Sequence, residues 1–311
     1  MIRGYPNVLF ANWMFANVID SLSRVSVPLF VMLSGSFLLD PKKPFNLWKR
    51  LKLVIIPLIV VSFSYILLYV AQNNTLQAWE TIRDLWYKPV SYHLWFSYML
   101  IGLYLLTPIF RVVVNDTKIT RYFLILWLIY SVLVQFGSRI FGYWLGDWSL
   151  NIHGGYVGYF VLGYVLKNTI FNRSSRFFFW AWVLGFILTL FCMWGSTYLL
   201  GEYNEIFYAF LAPNVVLMSS AMFLFFKTKL QNIPSNTTIF TLGTLTYGVY
   251  LYHILFISLF DGYIASNYFQ SLDLSLLMVT RITFTTILTF FSCYIISKIK
   301  YVRYYVLGIQ G

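Results

Sequence analysis

The chain has 311 residues, of which 59% are hydrophobic, 21% aromatic and only 10% charged, with a net charge of +12. Soluble domains carry roughly 25% charged residues, so the composition excludes a water-soluble fold. Apolar runs of about 17 to 25 residues recur along the whole length, and a helix needs about 20 to cross the hydrocarbon. The expectation is a single all-α, polytopic membrane domain over residues 1–311.

Met1 to Ala16 holds one cation and no uninterrupted apolar core before a small-residue cleavage site, so no cleavable signal peptide is read there. Spans are then expected near 17–39, 51–71, 93–110, 120–137, 154–166, 177–199, 209–226, 239–260 and 276–297, about nine in all. The run at 154–166 is short and carries Gly154, Gly155, Gly158 and Gly163, the pattern of a tilted or broken helix or of one that extends backwards.

The charge maps onto alternate loops. Residues 40–52 carry Lys42, Lys43, Lys49, Arg50 and Lys52 against Asp40, whereas 72–92 balance Arg83 and Lys88 against Glu80 and Asp84. The alternation continues with Arg111, Lys118 and Arg121, then Arg139 with Asp147, then Lys167, Arg173 and Arg176, then Glu202 and Glu205. It ends with Lys227 and Lys229, Asp261 and Asp273, and Lys298, Lys300 and Arg303. The positive-inside rule therefore puts the C-terminus in the cytoplasm and Met1 outside. A translocated N-terminus with no signal peptide and no earlier helix is unusual, so a helix upstream of Met1 is expected, lost through a start-site assignment or a truncation.

Few residues carry chemistry within the apolar runs. Asp20 and Arg24 stand at i,i+4 and would share a helix face; they read either as a site, because ionisable groups at membrane depth face a cavity or a partner, or as a self-neutralising structural pair. Ser34-Gly35 fits close helix approach. Lys49, Arg50 and Lys52 stand before the span that contains Pro57, where they could hold an anionic nucleotide or act only as an orientation signal. His93, next to Trp95, and His153 sit where apolar runs meet water, and His253, close to Tyr247, lies inside one. Each could move a proton near neutrality or be a satisfied structural histidine. Arg281 reads as an interfacial anchor. Cys192 and Cys293 lie in apolar runs without metal or disulfide spacing and read as packing residues. No GxSxG, GxxxxGK[ST] or HExxH motif and no paired carboxylate within the spans is present, which removes the common hydrolase and NTPase chemistries.

The order of these blocks resembles the acyltransferase 3 family, membrane enzymes that O-acylate sugars and cell-surface polymers, including the enterobacterial-common-antigen O-acetyltransferase type. Asp20 through Arg24 and Pro28 to Ser34-Gly35 look like that family's second helix, and Lys49-Arg50 through Pro57 like the basic loop before its third. His93-Leu94-Trp95 through Tyr104 and Pro108 look like the next block, and Tyr247 through His253 like a late one. The family's first helix, with an Arg and the His regarded as the base, has no counterpart here, so no residue inherits the catalytic role. Its basic RxxR pair meets Leu53 at the second position, with Lys52 nearby, and Leu100 and Ile101 after the tryptophan resemble the membrane-only branch.

The resemblance implies a multi-pass cell-membrane enzyme with no bound cofactor and no nucleic-acid partner. Acyl-CoA would be its donor, at Lys49, Arg50 and Lys52. A glycan or lipid-linked sugar would be its acceptor, with Asp20, Arg24, His93, Trp95, Tyr247 and His253 as binding or supporting residues. It also implies feeble acyl transfer by residues 1–311 alone. Two other readings are a sugar exporter, for which no internal repeat is evident, and a non-catalytic membrane subunit. Reporter fusions after Lys43, Gly201 and Gly311 are expected to read inside, outside and inside; a cytoplasmic reading at Gly201 overturns the span assignment.

Overall fold

The computed structural model describes residues 7–71, 75–84, 88–141, 155–230, 234, 236–265 and 273–310, and every secondary-structure element among them is helical. In chain order these are α1 (Phe10–Ser23), α2 (Ser26–Leu38), α3 (Leu47–Ala71), α4 (Thr75–Asp84), α5 (Trp95–Val113), α6 (Thr117–Trp127), α7 (Gln135–Phe141) and α8 (Gly155–Asn168). They continue with α9 (Ser175–Leu200), α10 (Pro213–Leu230), α11 (Thr237–Leu259), α12 (Leu274–Ser297) and α13 (Val302–Leu307). A π-helical stretch, Leu128–Val134, joins α6 to α7 without a break.

Among the described residues, 8 helical segments are long and apolar enough to cross a bilayer. The first runs from Phe10 to Leu38 and so begins earlier than the expected 17–39. The expected span at 154–166 forms α8, whose described part covers 14 residues. At 1.5 Å per residue this described part is about 21 Å long. Its expected backward extension falls on residues 142–154, outside the described residues.

α1 and α2 form one span with a break at Arg24 and Val25. The cause is Pro28, which has no N–H to donate to the carbonyl of Arg24 one turn earlier.

The chain divides into two compact units, Met1–Phe45 with Leu106–Ile233, and Asn46–Leu105 with Pro234–Gly311. In the first unit α8 packs on α2 and α9 on α10. The α2–α8 contact is backbone on backbone. A Cβ on Gly35 would lie 1.8 Å from the Phe160 carbonyl oxygen, and one on Gly163 would lie 2.0 Å from that of Met32. Gly35 thus serves close helix approach, as small residues do in membranes. α8 is apolar on all sides because it is enclosed on all sides, with Tyr159, Phe160 and Val161 fully buried.

Several cations of the first unit serve the ends of helices. Lys167 Nζ donates to Ser36 O (2.8 Å), and Lys227 Nζ donates to Leu166 O (2.8 Å) and Thr169 O (2.7 Å). Arg111 donates to Leu38 O (2.9 Å), Pro41 O (3.1 Å) and Lys43 O (2.5 Å). The last carbonyls of a helix have no intrahelical partner and sit at the negative end of its dipole, so these side chains satisfy hydrogen bonds at helix ends.

The second unit packs α11 on α12 and α13 on α3. Cys293 is buried beside Leu245 and Leu307, a packing role. Arg281 pairs with Asp261, and both are half exposed. Pro57 in α3 has no N–H for the Leu53 carbonyl, and the left-handed Gly308 (φ 67°) lies against that oxygen, where a Cβ would come within 2.3 Å.

The glycine contact makes a direct prediction. Gly163→Leu should lower the thermal midpoint in detergent, because overpacking a tight interface costs about 1–3 kcal/mol or more. Gly195→Leu, where nothing lies within 4 Å of the added Cβ, should leave it within a degree or two.

Candidate functional site

Asn17, Asp20, Ser21 and Arg24 fall at i, i+3, i+4 and i+7 and so share one face of the first span. Asn17 and Ser21 are fully buried. Their partner is Tyr208, 1% exposed, from the connection between α9 and α10. Its hydroxyl donates to Asn17 Oδ1, and Ser21 Oγ donates to the same oxygen (3.3 Å). Asn17 Nδ2 donates to Leu190 O (3.3 Å), which ties the group to α9.

Above this knot Arg24 pairs with Asp20 (2.5 Å), donates to Tyr208 O (3.5 Å) and lies 4.3 Å from the Tyr208 ring centroid. The part-buried pair and the cation–π contact hold the guanidinium in place. Its Nε is buried without an acceptor. Arg24 and Tyr208 face a cavity of about 290 Å³, also lined by Gln135, Arg139, Tyr156 and Glu205. Guanidinium, amide, carboxylate and phenol groups among aromatic faces suit a hydroxylated ligand about the size of one sugar ring.

In the second unit the two described histidines meet, with ring centroids 4.9 Å apart. His93 Nε2 lies 3.2 Å from Leu251 O. A carbonyl can only accept, so the proton is assigned to Nε2, and Nδ1 accepts from the Ser91 hydroxyl at 3.0 Å. Tyr65 donates to the same Leu251 carbonyl (3.1 Å) and Tyr250 to the His93 carbonyl (2.7 Å). Both nitrogens of His93 are therefore engaged, and the geometry is that of a satisfied structural histidine. His253 donates from Nδ1 to Tyr250 O (2.7 Å), which leaves the lone pair on Nε2, with no acceptor or donor facing it among the described residues. Tyr247 donates to Val54 O (3.2 Å), and its oxygen lies 3.3 Å from Ser97 Oγ. Trp95 is half-buried against Phe96.

At the start of α3 the Asn46 side chain accepts from the Lys49 backbone N–H (2.9 Å) and caps the helix. Asn46, Trp48, Lys49 and Lys52 line a pocket of about 480 Å³, closed by Tyr304 and Gln310 from the C-terminal segment. Arg50 is exposed and lies outside that lining.

The residues expected to matter thus collect in three places. Arg24, paired with Asp20, lines one cavity, Lys49 and Lys52 line another, and His93, Tyr247 and His253 form an aromatic cluster. His153 lies outside the described residues. No group of three or more potential metal ligands occurs among the described residues. Tyr208 and the cavity residues from α7 were not legible in the sequence, although the Asn17/Asp20/Ser21/Arg24 spacing signals the polar face they meet.

The fold and these sites define a multi-pass helical membrane protein with polar chemistry gathered inside apolar helices. The model of the acyltransferase 3 family, described as an acyltransferase domain, matches residues 2–298, nearly the whole chain, and the chain belongs to that family. Comparison with curated proteins and with solved structures gives no match.

Tyr208→Phe removes the hydroxyl that holds Asn17 and should destabilise the protein by about 1–3 kcal/mol. Thermal unfolding reads the loss, with the exposed Tyr198→Phe as the neutral control.

Proposed function

We propose that the protein is a cell-membrane acyltransferase, its C-terminus cytoplasmic, that moves an acyl group, acetyl in the simplest case, from acyl-CoA to a sugar hydroxyl of a cell-surface polysaccharide or glycolipid. The observation that carries this reading is the pocket at the start of α3. It sets two ammonium groups, Lys49 and Lys52, beside two aromatic rings, Trp48 and Tyr304, within the chain of an acyltransferase family. Ammonium groups suit the phosphates of CoA and flat rings suit its adenine. The cavity at Arg24 suits the sugar: Arg24 keeps Nε without an acceptor, and Gln135, Tyr156 and Glu205 add groups that read hydroxyls.

In the reaction the sugar oxygen attacks the thioester carbonyl, a C–O bond forms, the C–S bond breaks, and CoA leaves as the thiol after taking up the proton that the hydroxyl gives up. This chemistry needs a base within hydrogen-bond reach of the hydroxyl and fixed donors for the developing oxyanion. We assign the base to no residue. Of the described histidines, His253 alone keeps an unshared ring nitrogen and is the first to substitute.

Donor binding can be measured without turnover, by titrating the purified protein with CoA and following tryptophan fluorescence or heat. Lys49→Ala and Lys52→Ala should each weaken binding about fivefold, the effect of one partly exposed charge on a phosphate. Arg50→Ala, outside the lining, should weaken it less. Equal CoA affinity in the wild type and a well-folded Lys49→Ala/Lys52→Ala double variant would remove the pocket from the mechanism.

A further inference from the structure

The first unit holds a second cavity, unrelated to the sites above. It measures about 620 Å³ and is walled by α6, α8 and α10. Trp127 roofs it. The indole is fixed there because Nε1 donates to Gly155 O (2.7 Å) and the ring lies where a Cβ on Gly158 would stand, 2.1 Å away. Below that roof the walls are apolar, with Leu124, Leu162, Val165 and Val216 facing in. At the far end the lining becomes polar, with Thr117, Arg121 and Asn168.

Length and charge identify the occupant. From Thr117 to Leu128 α6 rises about 16 Å at 1.5 Å per residue, close to half of the roughly 30 Å hydrocarbon core. The apolar part therefore matches one leaflet's worth of acyl chain. Water has few partners along such walls. The polar end differs from its surroundings in one respect: Lys167, Lys227 and Arg111 are committed to backbone carbonyls, whereas Arg121 is exposed and donates to no acceptor among the described residues. A guanidinium at the polar end of a leaflet-deep apolar groove complements a phosphate at the head of an acyl chain.

We infer that this groove is a binding site for one anionic glycerophospholipid, its acyl chain lying between α6, α8 and α10 beneath Trp127 and its headgroup phosphate on Arg121. The site would hold α8 in the first unit by filling the space beside it. The inference is independent of the acyl-transfer reading, because neither the Lys49 pocket nor the Arg24 cavity shares a lining residue with the groove.

The experiment uses the full chain, purified in detergent, stripped of lipid and returned to mixed micelles with equal phosphatidylglycerol and phosphatidylcholine. Lipid that stays with the protein is counted by native mass spectrometry. The wild type should retain one phosphatidylglycerol and favour it over phosphatidylcholine roughly fivefold, the effect of one basic side chain at a headgroup. Arg121→Glu, at an exposed position that folding does not depend on, should bring the two lipids to parity or invert them, and Arg121→Lys should keep most of the preference. Leu124→Trp, which fills the groove, should lower retention of both lipids. Equal retention of both lipids by the wild type overturns the inference, and so does an unchanged preference in Arg121→Glu. A preference that survives Leu124→Trp in folded protein places the lipid elsewhere and also overturns it.

Discussion

A carbonyl oxygen without a partner inside a bilayer costs several kcal/mol, and in this chain cations, prolines and glycines are arranged around such oxygens. Lys167, Lys227 and Arg111 take the last carbonyls of α8 and α2 and of the segments that follow them. Pro28 breaks the first span at Arg24, the residue that then turns to Asp20 and Tyr208. Pro57 frees the Leu53 oxygen, against which Gly308 of the C-terminal segment packs. The same constraint that keeps the helices intact thus sets where two of the polar sites form.

α8 shows how packing turns a glycine-rich helix into a structural centre. With glycines at 158 and 163 it lets Trp127 and the α2 backbone come within contact distance. Dispersion and backbone contact replace the hydrophobic effect as the driving force between helices in lipid. Two openings border the helix. Tyr156, in its first turn, lines the cavity at Arg24, and Asn168, its last residue, lines the groove at Arg121.

The histidines show why residue type alone says little about chemistry. His93 and His253 are neighbours, yet the carbonyl of Leu251 fixes a proton on Nε2 of the first and the carbonyl of Tyr250 fixes one on Nδ1 of the second. Backbone acceptors choose the tautomer, and backbone acceptors belong to the fold.

The sequence by itself determined the membrane class, the order of the spans, the Asp20–Arg24 pair and the family, because apolar run length, charge alternation and i,i+4 spacing are local properties that the bilayer enforces one helix at a time. The enclosure of α8 by its neighbours escaped it, since an apolar run looks alike whether lipid or protein surrounds it. Only the tertiary structure decided that Tyr208 reaches Asn17 across 191 positions of chain and that Lys167 and Lys227 serve helix ends. It also placed Lys49 and Lys52, rather than Arg50, around a pocket with Tyr304. Those choices depend on which helix lies beside which, and close glycine contacts settle that through complementary shape, which no spacing along a single chain records.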